Sequence, residues 1–197
     1  MIDIRLRRGK ELVLAPLIRR MPPISPMVLT AASFAFGLAT AVFALGGATA
    51  AAVASWVLSR LFDGLDGEVA RYRDRQSDRG GYLDLIGDMT VYATIVIAIT
   101  AASESAPWAA AAVLMATFYL NAAAWLLLSA LLAKRERSAA HNTSVPIPSG
   151  LIEGGESVVF ILIALLSDAQ LASLYTVFAG LTAITALQRV VWTYRNL

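Results

Sequence analysis

Long apolar segments separated by short polar breaks fill most of this chain. Six can be marked in its 197 residues, and most approach the roughly 20 residues that a helix needs to cross a bilayer. With 58% hydrophobic residues, the chain is more apolar than a soluble domain. The pattern predicts an all-α integral membrane protein with six transmembrane helices in one domain over residues 1–197. The segments run from Met27 to Leu45, Thr49 to Leu65, Tyr82 to Ala102, Trp108 to Ala133, Leu151 to Leu166 and Leu171 to Trp192.

The basic residues indicate how these helices are oriented. All 16 Lys and Arg residues fall near the termini or in or beside the second and fourth connections. The first, third and fifth connections contain none. By the positive-inside rule, we expect a multi-pass protein of the cytoplasmic membrane. Both termini and the second connection should face the cytoplasm.

Residues 1–24 mix apolar and basic side chains and lack the apolar core and cleavage site of a cleavable signal peptide. Ile2, Ile4 and Leu6, for example, are interspersed with Arg5 and Arg7. This composition is typical of an amphipathic helix that lies in the membrane interface, with its cations near lipid headgroups. We expect such an interfacial helix here, and a solvated basic tail is the alternative.

Composition also excludes some functions. The chain has no cysteine, which rules out a thiolate metal site and a cysteine nucleophile. Its net charge is only +2 and it shows no dense basic face, so we expect no nucleic-acid partner.

Two pairs of aspartates at helical spacing stand out within residues 60–88. Asp63 and Asp66 are three residues apart, and Asp84 and Asp88 are four apart, so each pair shares one face of a helix. Acids beside apolar segments are costly and usually mark a functional site. Facing each other across a turn, four carboxylates would bind a hard divalent cation such as Mg²⁺ or Mn²⁺.

The residues between these pairs favour a phosphate ligand. Gly67 and Ala70 share the face of the first acid pair and leave room for a ligand, while Arg71 can bind phosphate oxygens through two nitrogens. Gly80 and Gly81 are expected to permit the turn into the next helix. The combination predicts phosphoryl or phosphodiester chemistry. Two metal ions would stabilise the attacking and leaving oxygens, and a carboxylate would act as base.

Two other interpretations compete with a metal site. The acids could be cytoplasmic charges paired with nearby arginines, which suits Asp74 and Asp78 but not Asp63 and Asp88 beside apolar residues. The chain could also be an ion- or proton-coupled membrane transporter. Acids in transporters are expected near the bilayer midplane between two related halves. Here they cluster at one edge, and no half-repeat is visible.

The acidic segment as a whole has a recognisable spacing. It reads Asp63-x-x-Asp66-Gly67-x-x-Ala70-Arg71, eight further residues, then Gly80-x-x-x-Asp84-x-x-x-Asp88. This resembles the defining motif of the CDP-alcohol phosphotransferases, or CDP-alcohol phosphatidyltransferases. The resemblance implies a homodimeric, metal-dependent enzyme of phospholipid synthesis. Such an enzyme transfers a substituted phosphate from a CDP-linked donor, usually CDP-diacylglycerol, to an alcohol and releases CMP.

The resemblance also implies a role for each motif position. Asp88 would be the base for the acceptor hydroxyl and would complete the metal site. The implied metal ligands are Asp63, Asp66, Asp84 and Asp88. A second set would line the CDP site, with Arg71 on a phosphate: Asp66, Gly67, Ala70, Arg71 and Gly80.

The alcohol acceptor is less defined. A phosphorylated acceptor, as in phosphatidylglycerophosphate- or inositol-phosphate-type synthases, needs further cations, and the candidates are Arg60, Lys134, Arg135 and Arg137. Glu153 and Glu156 would disfavour a phosphate if they face the pocket. An amino alcohol such as serine, or a neutral polyol, would then fit better. Alternatively, the two glutamates cap a helix N-terminus, where acids are stabilising.

Overall fold

Six α-helices and one short 3₁₀ turn form the part of the chain that a computed structural model describes. That part is residues 18, 22, 24–138 and 150–197, and the side chains of residues 136–138 fall outside it. It contains no β-strand, so the all-α prediction is confirmed. The interfacial segment predicted over residues 1–24 lies outside the described residues, apart from 18, 22 and 24. The helices are α1 (Pro26–Leu45), α2 (Thr49–Tyr72), α3 (Asp78–Ala102), α4 (Trp108–Ser138), α5 (Gly154–Leu166) and α6 (Leu171–Asn196), with the 3₁₀ turn at Asp168–Gln170.

Four described segments are long and apolar enough to cross a membrane: Pro26–Leu45, Asp78–Ala102, Trp108–Arg135 and Asp168–Asn196. α2 has 24 residues but carries several charges toward its C-terminal end. α5 has only 13 residues, which at about 1.5 Å per residue is shorter than the bilayer core. The chain is therefore an integral membrane protein, while the count of six spans stays a prediction.

The chain divides into two compact units, Met1–Ala102 and Ser103–Leu197. In the first unit, α1 packs against both α2 and α3. Ser59 Oγ of α2 donates a 2.9 Å hydrogen bond to the Ser33 carbonyl of α1. A Cβ on Gly37 of α1 would lie only 2.6 Å from Val91 Cγ2 of α3. Small residues on α1 thus allow the close helix approach that packing in lipid favours.

The connection from α1 to α2 is short because its residues suit a tight turn. α1 begins with Pro26 in its first turn, where the missing N–H has no helical partner to lose. It ends before Gly46 and Gly47. Gly47 has a φ of 71°, a left-handed conformation that glycine adopts without steric cost. The chain can therefore turn directly into α2.

The second unit is organised around aromatic side chains from its three helices. Phe160 of α5 stacks on Phe178 of α6 with ring centroids 4.0 Å apart, and Phe118 of α4 meets both rings edge-on. Such pairs add to the stabilisation from buried area. The buried Arg189 of α6 donates a hydrogen bond to Asn121 Oδ1 of α4, which joins the same two helices by a polar contact.

Candidate active site

α2 and α3 carry the four aspartates that stand out in the sequence. Asp63 and Asp66 lie toward the C-terminal end of α2, and Asp84 and Asp88 lie in the first three turns of α3. Only residues 73–77 connect the two helices. All four carboxyl groups interact electrostatically with one another as a single cluster. The structure thus brings the two predicted pairs together, and their role as metal ligands stays a prediction.

The turn between α2 and α3 corrects one sequence-based expectation. Gly80 and Gly81 were expected to permit the turn, but both lie inside the first turn of α3. The left-handed residue is instead Asp74, with a φ of 52°, a conformation that aspartate adopts more readily than most residues. Ser77 Oγ then accepts a 3.1 Å hydrogen bond from the Gly80 N–H at the start of α3.

Arg60 forms ion pairs with two of the four acids. Its Nη1 lies 2.8 Å from Asp88 Oδ1 and 3.6 Å from Asp63 Oδ2. The side chain is only 10% exposed. The guanidinium carbon lies 4.6 Å from the centroid of Trp56 and 5.7 Å from that of Tyr92. Burial between two rings and two carboxylates fixes this cation firmly in the cluster.

The other two acids face a different environment. Asp66 Oδ2 accepts a 2.6 Å hydrogen bond from Thr30 Oγ1 of α1. Asp84 lines the same cavity as Asp66. Its carboxyl group also lies within hydrogen-bonding reach of Asp63. The four acids therefore divide into an Arg60-paired side, with Asp63 and Asp88, and a cavity-facing side, with Asp66 and Asp84.

The donor chemistry of this cluster suits a hard divalent cation, because all four ligands would be carboxylate oxygens. In the part of the chain that the structure describes, however, no group of three His, Cys, Asp or Glu side chains is arranged so that it could already bind a metal ion. Asp63 and Asp88 are instead paired with Arg60. The residues are of the right chemical type for the cation, and their side chains would have to move closer together to coordinate it.

A cavity of about 390 Å³ opens beside Asp66 and Asp84. This volume falls within the usual range for small-molecule sites. Its wall includes all five residues predicted for the CDP site: Asp66, Gly67, Ala70, Arg71 and Gly80. Residues that the sequence analysis did not single out complete the wall: Ser25, Pro26, Met27, Thr30, Arg75, Gln76 and Ser77. The structure thus places the five residues around one opening, and their role in CDP binding stays a prediction.

Arg71 is held at this cavity by a neighbour on its own helix. Its Nη2 lies 2.6 Å from Glu68 Oε1, and the Glu68 side chain is only 8% exposed. A Cβ on Gly67 would lie 3.4 Å from Arg71 Nη1. A side chain at position 67 would therefore touch the guanidinium and narrow the cavity beside it. Glu68 was not predicted as a site residue, although its i, i+3 spacing from Arg71 could have indicated the pair.

The candidate acceptor cations divide between the two units. Arg60 belongs to the acid cluster in the first unit, and it contacts carboxylates. Lys134 and Arg135 are exposed at the end of α4 in the second unit, and Arg135 donates hydrogen bonds to the carbonyl groups of Leu197 and Asn196. The side chain of Arg137 lies outside the described residues. Their role in acceptor binding stays a prediction.

Glu153 and Glu156 make the contacts expected of helix caps. The Glu153 N–H donates a 3.0 Å hydrogen bond to Glu156 Oε2 at the start of α5. Glu153 Oε1 in turn accepts a 3.0 Å hydrogen bond from the Gly150 N–H. Both glutamates are exposed. The capping alternative therefore has direct structural support, and an additional role at an acceptor pocket stays a prediction.

These features define a class of protein. It is an all-helical membrane protein in which two acids of a carboxylate cluster and an arginine border one cavity. Comparison with known families then narrows the class. Residues 24–192 match the CDP-alcohol phosphatidyltransferase family, and the chain belongs to that family. The resemblance seen in the motif is confirmed.

A curated bacterial membrane protein is similar to this chain over most of its length. The chain is 32% identical over 172 residues to the inner membrane protein YnjF of Escherichia coli (strain K12). The match covers 86% of this chain and 82% of the relative. That protein's name places it in a membrane, which agrees with the apolar helices described above.

Solved structures show the same fold. The phosphatidylinositol phosphate synthase PgsA1 of Mycobacterium tuberculosis with bound CDP-DAG matches with a TM-score of 0.68 and 22% identity, over 94% of each chain. The same enzyme with manganese and citrate gives 0.66 and 22%, over 93% of this chain and 89% of that one. At this identity, the likeness establishes a shared membrane fold.

Proposed function

We propose that this protein transfers a phosphatidyl group from CDP-diacylglycerol to a small alcohol and releases CMP, as a step of phospholipid synthesis. One observation carries the proposal. The cavity in the first unit gathers the motif residues Asp66, Gly67, Arg71, Gly80 and Asp84 around one opening beside the carboxylate cluster. Family membership supports the same transferase chemistry, and it favours an enzyme over an ion- or proton-coupled transporter.

The cavity residues would bind the donor through its diphosphate. Arg71 supplies a guanidinium that can contact phosphate oxygens through two nitrogens. Gly67 and Gly80 in the wall keep side chains away from the opening, so the nucleotide can approach the backbone of α2 and α3. The acyl chains of the donor would remain in the surrounding lipid.

The reaction requires one bond to form and one to break. The acceptor hydroxyl oxygen attacks the phosphorus that carries the diacylglycerol group. The bond from that phosphorus to the bridging oxygen of CMP breaks, and its electron pair leaves with CMP. Asp88 would take the hydroxyl proton. Its Oδ1 accepts a hydrogen bond from Arg60, which leaves Oδ2 outside that bond as the oxygen available for the proton.

Asp63, Asp66, Asp84 and Asp88 would hold Mg²⁺ or Mn²⁺ for this reaction. A divalent ion bound there would neutralise charge on the diphosphate and on the leaving CMP. The sequence predicts two such ions. Arg71 remains on the cavity side, where its charge would add to that neutralisation.

The proposal also includes the orientation of the protein in the membrane and its oligomeric state. The distribution of Lys and Arg supports a cytoplasmic position for both termini and for the connection between α2 and α3. CMP would then leave into the cytoplasm, and the lipid donor would enter from the inner leaflet. A homodimer is expected from family membership.

For the acceptor, we favour an amino alcohol such as serine or a neutral polyol. The support is the sequence-based expectation that the charges of Glu153 and Glu156, which lie at the start of α5, would disfavour a phosphate if these side chains face the acceptor. The alternative is a phosphatidylglycerophosphate- or inositol-phosphate-type synthase, for which the candidate acceptor cations are Arg60, Lys134, Arg135 and Arg137.

An acceptor panel tests the function directly. Purified protein would be given CDP-diacylglycerol, Mg²⁺ and, in separate reactions, serine, neutral polyols, glycerol 3-phosphate or inositol phosphate. We expect CMP and one new phospholipid with an acceptor of the first two kinds. A new phospholipid only with phosphorylated acceptors would support the alternative synthase. If no acceptor yields CMP, the transferase proposal is wrong.

A charge-removing variant tests the acceptor assignment separately. Glu153→Gln with Glu156→Gln retains hydrogen-bonding side chains at the cap but removes both charges. If the glutamates face the acceptor, this variant should lose activity with the preferred acceptor or accept phosphorylated ones. Full activity with an unchanged preference would show that the two residues only cap α5.

A further inference from the structure

Glu68 is a buried acid of α2 that belongs neither to the aspartate cluster nor to the wall of the cavity. Only 8% of its side chain is exposed, and it does not line the cavity. Its Oε1 accepts a 2.6 Å hydrogen bond from Nη2 of Arg71. A buried carboxylate is unfavourable unless a cation or hydrogen bonds compensate it, so the contact with Arg71 stabilises Glu68 where it lies.

The two ends of this ion pair are in different environments. Most i, i+3 pairs lie on the exposed surface of a helix, where they contribute little. Here the Arg71 side chain is 38% exposed while that of Glu68 is 8% exposed. The next residue, Val69, belongs to a buried cluster with Leu29 of α1, which fixes the backbone of α2 at this point. Glu68 is therefore the anchored end of the pair, and Arg71 is the end that reaches the cavity.

The ion pair leaves Arg71 able to bind a phosphate. The contact with Glu68 uses Nη2, whereas a guanidinium has five N–H donors in a planar fork. Gly67 lies beside the same group, since a Cβ there would be 3.4 Å from Nη1. Gly67 and Arg71 both line the cavity. The guanidinium is thus held from one side by a buried carboxylate while it borders the open space.

We propose that Glu68 is a positioning residue for donor binding, which holds the Arg71 guanidinium at the cavity wall in the orientation that receives the diphosphate. The inference rests on the proposed function, in which Arg71 contacts a CDP-linked donor. A flexible arginine loses conformational freedom when it binds a ligand, and a contact that orders the side chain beforehand reduces that loss. Glu68 contacts Arg71, so its effect on the donor passes through Arg71.

The charge of Glu68 has an opposite effect that the test must separate. A carboxylate near the cavity also repels a diphosphate, so removal of the whole side chain would change two things at once. Glu68→Gln removes the charge but keeps an oxygen that can accept a hydrogen bond from Arg71. Glu68→Met has a similar length and lacks that oxygen. The comparison of these two variants therefore isolates the hydrogen bond.

CDP binding tests the inference without an alcohol acceptor. Detergent-purified protein would be titrated with CDP at a fixed Mg²⁺ concentration, and the Kd measured by calorimetry. We expect Glu68→Met to bind CDP about fivefold or more weakly than Glu68→Gln, the effect of one hydrogen bond. If Glu68→Met cannot be purified, Glu68→Ala takes its place in the comparison.

The matched control repeats the comparison without the guanidinium. In an Arg71→Gln background, Glu68→Gln and Glu68→Met should bind CDP with Kd values within about twofold of each other, because the contact they differ in is gone. A role of Glu68 in packing alone would keep the difference. Where the Arg71→Gln variants bind too weakly to measure, equal thermal unfolding midpoints of Glu68→Gln and Glu68→Met exclude a packing effect.

The outcomes separate this inference from the proposed function. Equal Kd values for Glu68→Gln and Glu68→Met with Arg71 present would overturn the role of Glu68. A difference that persists without Arg71 would do the same, and both results leave the transferase proposal intact. If wild type binds no CDP, the proposed donor site is wrong and the inference fails with it.

Discussion

Thr30 of α1 donates a 2.6 Å hydrogen bond to Asp66 of α2. The two residues are 36 positions apart in sequence, and both line the cavity. α1 contributes no acid to the cluster, yet through Thr30 it sets the position of a carboxylate that the motif assigns to both metal and CDP binding. α1 is thus part of the site and not only a support for α2 and α3.

Replacing Thr30 with valine should lower the rate of CMP release by at least about tenfold. The substitution keeps the side-chain shape but removes a hydrogen bond to a charged group, an interaction worth roughly 1.5–3 kcal/mol. The matched control is Thr40→Val on the same helix, because Thr40 Oγ1 bonds only to the carbonyl of Phe36. Equal activity of the two variants would show that Thr30 does not position Asp66.

Gly67→Ala should raise the KM for the CDP-linked donor several-fold with a smaller change in kcat. The new methyl group would lie in the cavity wall, in contact with Arg71 Nη1 at 3.4 Å, so less room would remain for the diphosphate that Arg71 is proposed to bind. Gly64→Ala is the control, since nothing lies within 4 Å of a Cβ at that position on the same helix. An unchanged donor KM in Gly67→Ala would argue against Arg71 as the phosphate ligand.

Gly37→Ala should destabilise the first unit. Its Cβ would lie 2.6 Å from Val91 Cγ2, and overpacking of this kind typically lowers the free energy of unfolding by about 1–3 kcal/mol. Thermal unfolding in detergent should show a lower midpoint than wild type. Gly180→Ala, which meets nothing within 4 Å, should not lower it. If both variants unfold at the wild-type temperature, α1 and α3 do not pack closely at Gly37.

The predicted orientation can be tested with single cysteines, because the natural chain contains none. Arg79→Cys lies near the start of α3, and Glu104→Cys lies in the connection from α3 to α4; both positions are exposed. A membrane-impermeant maleimide should label Glu104→Cys in intact cells, but Arg79→Cys only after permeabilisation. The reverse pattern would place the acid cluster outside the cytoplasm.

The helices were largely predictable from sequence because lipid imposes a strong constraint. A helix satisfies all the backbone hydrogen bonds of a long apolar segment within that segment and without water, so apolar runs such as Met27–Leu45 correspond closely to observed helices. The membrane-span count was less predictable. α2 ends in a charged stretch and α5 is short, and helix formation alone does not say how far either enters the bilayer.

The site was predictable where its residues follow one another at helical spacing. The two acid pairs meet as expected because each pair lies on one helix and a short turn joins the helices. Thr30 and Arg60 were harder to place. Thr30 reaches Asp66 only through the packing of α1 on α2, which no local spacing reveals. Arg60 was considered as an acceptor cation, whereas its contacts are with Asp63 and Asp88.

The central claim is that the aspartate cluster catalyses transfer from a CDP-linked donor. The most direct test is CMP release from CDP-diacylglycerol by Asp88→Asn and Asp63→Asn, with Asp74→Asn as the control. Asp74 does not line the cavity, and asparagine tolerates its φ of 52°. We predict that the first two variants lose at least about 100-fold in rate, while Asp74→Asn matches wild type. Undiminished CMP release by both Asp88→Asn and Asp63→Asn would contradict the account.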